Sequence, residues 1–148
     1  ARAGREAPPV RKMALGAALV ALSFVGLAAV AEAGAGERVS WLWLAAFFVV
    51  LTLGELFILP VGLGLFAASA PAALAATMVA AWFLASFFGN LLAGWLGTLW
   101  SVLSPAAFFT LTAGVSAAAA LALFGLSLWA DRSGVSPPPR PSEEGTGR

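Results

Sequence analysis

The chain predicts an all-α membrane protein of four transmembrane helices. Two observations carry that expectation. Hydrophobic residues make up 61% of the sequence and charged residues 10%, against about half and about one quarter in an average soluble domain. The charges are also segregated: Glu55 is the only charged residue among the 92 between Arg38 and Asp131.

Residues 1–12, ARAGREAPPVRK, are polar and read as a loop ending in the basic pair Arg11-Lys12. Residues 13–31 are 19 residues without a charge. At the helical rise they cover about 28 Å, close to the hydrocarbon thickness, so a spanning helix is a better reading than a secretory signal. Residues 32–40, EAGAGERVS, form a loop. The second span runs over 41–68 and opens on Trp41 and Trp43, whose indoles suit the lipid–water interface. A tight connection, SAP, ends at Pro71, a residue suited to the first turn of a helix. The third span covers 72–100 and the fourth 105–130. The third would reach about 43 Å, so it is tilted, kinked or projecting. Residues 133–148 carry Pro137-Pro138-Pro139 with Ser, Gly and Glu, and are expected to be a disordered tail.

The basic residues set an expected orientation. Arg2, Arg5, Arg11 and Lys12 precede the first span, and Arg132, Arg140 and Arg148 follow the fourth, whereas the first loop holds only Arg38. The positive-inside rule then puts both ends of the chain in the cytoplasm. A composition rich in Ala, Gly and Arg with a single Lys suggests a GC-rich bacterial genome, hence a multi-pass protein of the bacterial cytoplasmic membrane.

The absence of His and Cys removes imidazole and thiolate chemistry, disulfides and most transition-metal sites. One Glu without a partner acid cannot build a catalytic site, so no enzyme activity, cofactor or metal is expected. No Lys or Arg lies within a span, which argues against a nucleic-acid partner.

A lone carboxylate in an apolar span costs free energy unless something compensates it, and such residues usually face a bundle interior or a water-filled path. The competing reading is a protonated acid that merely cements helices. Pro60 follows five residues later and is expected to interrupt the helix, with Gly62 and Gly64 loosening the backbone beyond it. A charge beside a helix break at membrane depth has the form of a transporter site. On the third span, Trp82, Ser86 and Asn90 recur every four residues and are expected to share a face. Ser and Asn at such positions also serve simply to hydrogen-bond a neighbouring helix. Gly89, Ala93 and Gly97 make a small-residue stripe expected to pack closely against another helix.

The runs GELFILPVGL, SAP and AAWFLASFFGNLLAGWLG, in that order and spacing, resemble the C-terminal half of proton-dependent oligopeptide transporters of the major facilitator superfamily. The resemblance covers residue 12 to about 130. It implies that the four spans correspond to the last four of a twelve-helix bundle, and that the chain is a fragment holding half a site. By the same resemblance Glu55 receives the amino terminus of a di- or tripeptide, Trp82, Phe83 and Ser86 line the pocket, Pro60 and Gly62 form a gating helix break, and the proton is the coupling ion. The sequence departs from the family at 72–77, AALAAT, where a basic residue and Met- or Gly-rich positions are usual. The group for the peptide carboxylate and the acidic proton-coupling motif belong to N-terminal helices of the same transporter, outside this chain. The alternatives are a major facilitator carrier of another small solute, or a complete four-helix membrane interaction subunit.

Overall fold

The computed structural model describes residues 8–34, 40–68 and 71–132. Four helices account for nearly all of them: α1 (Pro9–Gly34), α2 (Trp41–Ala68), α3 (Ala75–Thr98) and α4 (Pro105–Arg132). Short 3₁₀ turns at Ala72–Leu74 and Leu99–Ser101 flank α3. All four helices are long and apolar enough to cross a membrane. The first loop, the tip of the SAP connection and the expected disordered tail fall wholly or largely outside the described residues.

Helix ends follow local chemistry. Pro9 opens α1, since a first-turn proline loses only an amide that would be unpaired anyway. The amides of Arg11 and Lys12 donate to the Pro8 carbonyl at 2.9 and 3.2 Å. The basic pair therefore belongs to the first helical turn and not to the preceding loop, as charge pattern alone had implied. Ser104 starts α4: its hydroxyl oxygen accepts from the Ala107 amide at 3.3 Å and its carbonyl from the Phe108 amide at 2.9 Å. Pro71 is not a first-turn residue. It is extended (φ −54°, ψ 150°), and its carbonyl accepts the Leu74 amide at 2.8 Å, so the expected helix over 72–100 resolves into a 3₁₀ turn, α3 and a second 3₁₀ turn.

Pro60 does not interrupt α2, which is a single helix from Trp41 to Ala68. The proline deprives the Leu56 carbonyl of its usual donor four residues on, and the helix continues through it. Opening more of the ladder in hydrocarbon would strand further backbone groups at several kcal/mol each.

The core is centred on α1. It packs extensively against both α4 and α2, while α2 and α3 share a much smaller contact. Met13, Ala14, Gly16, Ala17, Ala21, Ser23 and Ala28 of α1 are buried. Ser23 and Ser127 are buried too, and each hydroxyl donates to a carbonyl of its own helix, Val20 at 2.7 Å and Phe124 at 2.8 Å.

The close crossing of the bundle joins Gly16 to Gly54. A Cβ on Gly16 would stand 2.6 Å from the Gly54 carbonyl oxygen, and one on Gly54 would stand 2.8 Å from the Gly16 oxygen. Small residues are what allow two backbones this near. The stripe expected to do this, Gly89–Ala93–Gly97, is exposed, and a Cβ at Gly89 or Gly97 meets nothing within 4 Å among the described residues. The reason is where α3 touches its neighbour: it meets α2 through Trp82, and the stripe lies two to four turns further along. Gly16→Val and Gly54→Val each place carbon against backbone, which cannot yield as a side-chain tip can. Each is expected to destabilise by about 1–3 kcal/mol, read as a lower Tm in detergent, while Gly89→Val should leave Tm unchanged.

Candidate functional site

Glu55 occupies the middle of α2 with its side chain exposed. It follows Gly54, so it points about 100° round the helix from the α1 crossing. Gly62 lies seven residues further on, about two turns and roughly 10 Å along the same side of the helix. That side is the one met by α3. A Cβ on Gly62 would stand 2.6 Å from Cζ3 of the Trp82 indole. The indole also meets Phe66 edge to face, with ring centroids 5.3 Å apart at 60°. Gly62 and Phe66, four residues apart on α2, thus form the seat of Trp82.

This gives Gly62 a different part from the one its sequence context implied. Both Gly62 and Gly64 lie within the unbroken helix, and neither has the positive φ that glycine alone adopts easily. What Gly62 supplies is the absence of a side chain under a half-buried indole.

Ser86 follows Trp82 by one turn and is half-buried. Its hydroxyl donates to the Trp82 carbonyl at 3.1 Å. In that arrangement the oxygen can still accept a hydrogen bond, and donating to a ligand requires release of the backbone bond. Phe83 is 62% exposed and projects about 100° round α3 from Trp82. Asn90 does not stay with this group. Eight residues of helix rotate it about 80° from Trp82, and it lines a separate open depression with Phe88, Leu91 and Trp95.

The structure therefore assembles Gly62, Phe66, Trp82 and Ser86 and leaves Glu55 two turns away on the same side of α2. Among the described residues Glu55 makes no hydrogen bond or ion pair. No three His, Cys, Asp or Glu side chains cluster as a metal site among them either. Phe66 had no part in the sequence reading. Its only signal is the four-residue spacing from Gly62, which carries meaning once the indole is known to sit there.

Helices of this length and apolarity, with one ionisable group at mid-span, define a multi-pass membrane protein. A carboxylate so placed is costly to leave in hydrocarbon. Within that class the chain belongs to the POT family, whose profile matches residues 1–111, taking in α1, α2, α3 and the start of α4. It is 44% identical over 62 residues to the peptide transporter YePEPT of Yersinia enterocolitica, covering 42% of this chain and 12% of that one. It is 31% identical over 109 residues to a di-/tripeptide transporter of Lactococcus lactis, covering 73% of this chain and 22% of the relative. It is 34% identical over 97 residues to dipeptide and tripeptide permease A of Chromobacterium violaceum, covering 65% and 20%. The chain thus spans about a fifth or less of the length of these relatives. They are named as transporters, and none as an enzyme. No solved structure matches the chain.

Proposed function

We propose that this chain forms part of a proton-coupled symporter that imports di- and tripeptides across a bacterial cytoplasmic membrane. The carboxylate of Glu55 receives the peptide's ammonium terminus. Trp82 and Phe83 wall the pocket, and the Ser86 oxygen accepts a hydrogen bond within it. The carrying observation is Glu55 itself: a single charge at mid-span, on the side of α2 where Trp82 docks, with no partner among the described residues. At low effective dielectric such a group attracts a cation strongly, and an ammonium terminus is the cation a peptide offers. The coupling proton rides on an acidic group of the helices outside this chain, so that proton and peptide are bound together and cross in the same direction.

Further spans of a longer polypeptide cover α3 and bring the cation for the peptide carboxylate. Arg11 and Lys12 at the start of α1 and Arg132 at the end of α4 support an orientation with both ends of the chain inside the cell. Pro60 serves as a compliant point of α2, one backbone bond short, about which the helix bends as the pocket opens and closes.

The test is uptake of a labelled dipeptide into liposomes holding the full-length transporter that contains this segment. Uptake is expected to follow an imposed inward proton gradient and to be competed by other di- and tripeptides. Uptake indifferent to the gradient would exclude symport, and competition only by solutes that are not peptides would assign another cargo.

A further inference from the structure

A groove of ≈ 240 Å³ runs between α1 and α4. Arg11, Leu15 and Ala18 of α1 line it opposite Ala120, Leu121 and Phe124 of α4. Six of its residues are apolar, counting Ala14 on its floor, and Arg11 is its single charged residue. The walls stand open: Leu15 is 57% exposed, Leu121 72% and Phe124 45%. Arg11 belongs to the first turns of α1, so the cation marks the end of the groove nearest the helix terminus, with the apolar part running inward along the span. The guanidinium has no ion pair among the described residues. Arg132 closes α4, and the exposed Asp131 beside it is the one carboxylate at that helix end among the described residues.

We propose that this groove holds an anionic glycerophospholipid, with one acyl chain along Leu15, Ala18, Leu121 and Phe124 and the phosphate against Arg11. Two features of the groove select that occupant. Its length is apolar and belongs to helices that cross the membrane, so a hydrocarbon chain fills it and an aqueous anion does not. Its mouth carries one planar cation, with no ion pair among the described residues, whose fork of donors matches a phosphate and which stands at the helix-terminal end of the groove. A zwitterionic lipid satisfies the walls equally well, but its own ammonium opposes Arg11. The charge complementarity is what separates the two. Basic residues between spanning helices hold anionic headgroups by this combination.

The test uses the full-length transporter containing this segment, purified and examined by native mass spectrometry with dioleoylphosphatidylglycerol or dioleoylphosphatidylcholine at equal concentration. Phosphatidylglycerol adducts should persist at collision energies that strip phosphatidylcholine. Arg11→Gln should lower phosphatidylglycerol occupancy about fivefold, the scale of one basic residue beside an anionic surface. Ala18→Phe keeps the cation and fills the apolar floor, and should lower occupancy as well. Equal retention of the two lipids, unchanged occupancy in both variants, or displacement by millimolar inorganic phosphate would each overturn the proposal. Neither variant touches Glu55, Trp82 or Ser86, so its failure leaves the transport reading standing.

Discussion

Glu55→Gln in the full-length transporter should abolish proton-driven dipeptide uptake while leaving the protein folded in the membrane. The glutamine keeps the size and hydrogen-bonding capacity of the side chain and loses its charge. Removing one member of a desolvated charge pair costs about 2–5 kcal/mol, so binding of a dipeptide should weaken tens- to thousands-fold. The structural cost should be small, because Glu55 is exposed on α2 and makes no hydrogen bond or ion pair among the described residues. That combination separates the proposed role from the competing one. An acid that only cemented helices would, on substitution, lower Tm along with activity. Unchanged Tm with lost uptake is expected; unchanged uptake would remove Glu55 from the mechanism.

Gly62→Ala should come next in severity, through Trp82. A methyl at this position meets the indole from below, with Cζ3 at 2.6 Å, so the ring must move or α3 must shift away from α2. Overpacking of this kind costs about 1–3 kcal/mol, and the displaced wall should raise KM for dipeptides by roughly tenfold or more. The companion change Trp82→Phe removes the part of the ring that the methyl strikes. Gly62→Ala combined with Trp82→Phe should therefore recover the thermal stability lost in Gly62→Ala alone, leaving only the defect of the smaller aromatic. Additive losses in the double variant would mean that the two residues do not meet in the working protein.

The spans were legible because hydrocarbon tolerates so little: a stretch between Arg38 and Asp131 whose single charge is Glu55 leaves few other folds open. Helix ends were less legible. Pro9 could have been loop or first turn, and what decides is whether the Pro8 carbonyl finds its amides. Pro60 misled for a related reason. Its effect on an isolated helix is to break it, but inside α2 the remaining backbone bonds have no water to turn to, and the helix runs on.

The glycines show where local pattern runs out. Gly16 and Gly54 are 38 residues apart, and nothing near either says that the two backbones touch. The regular spacing of Gly89, Ala93 and Gly97 looked like a packing face and is uncovered among the described residues. Spacing gives a face its composition; which face meets a neighbour depends on how whole helices cross. The candidate site divides along the same line. Glu55 stood out on charge alone and Trp82 on its four-residue spacing with Ser86 and Asn90. That Gly62 and Phe66 hold the indole, two turns from Glu55 on one side of α2, required both helices in place.

The central claim is that Glu55 receives the ammonium terminus of a peptide, and a binding cycle tests it most directly. Affinity for a dipeptide with a free amino terminus and for its N-acetylated form would be measured on wild-type transporter and on Glu55→Gln. The account predicts that acetylation weakens binding to wild type by tens-fold or more and hardly affects binding to Glu55→Gln, because each change removes the same ion pair. An acetylation penalty of equal size in both proteins would contradict it, and would place the ammonium on a group other than Glu55.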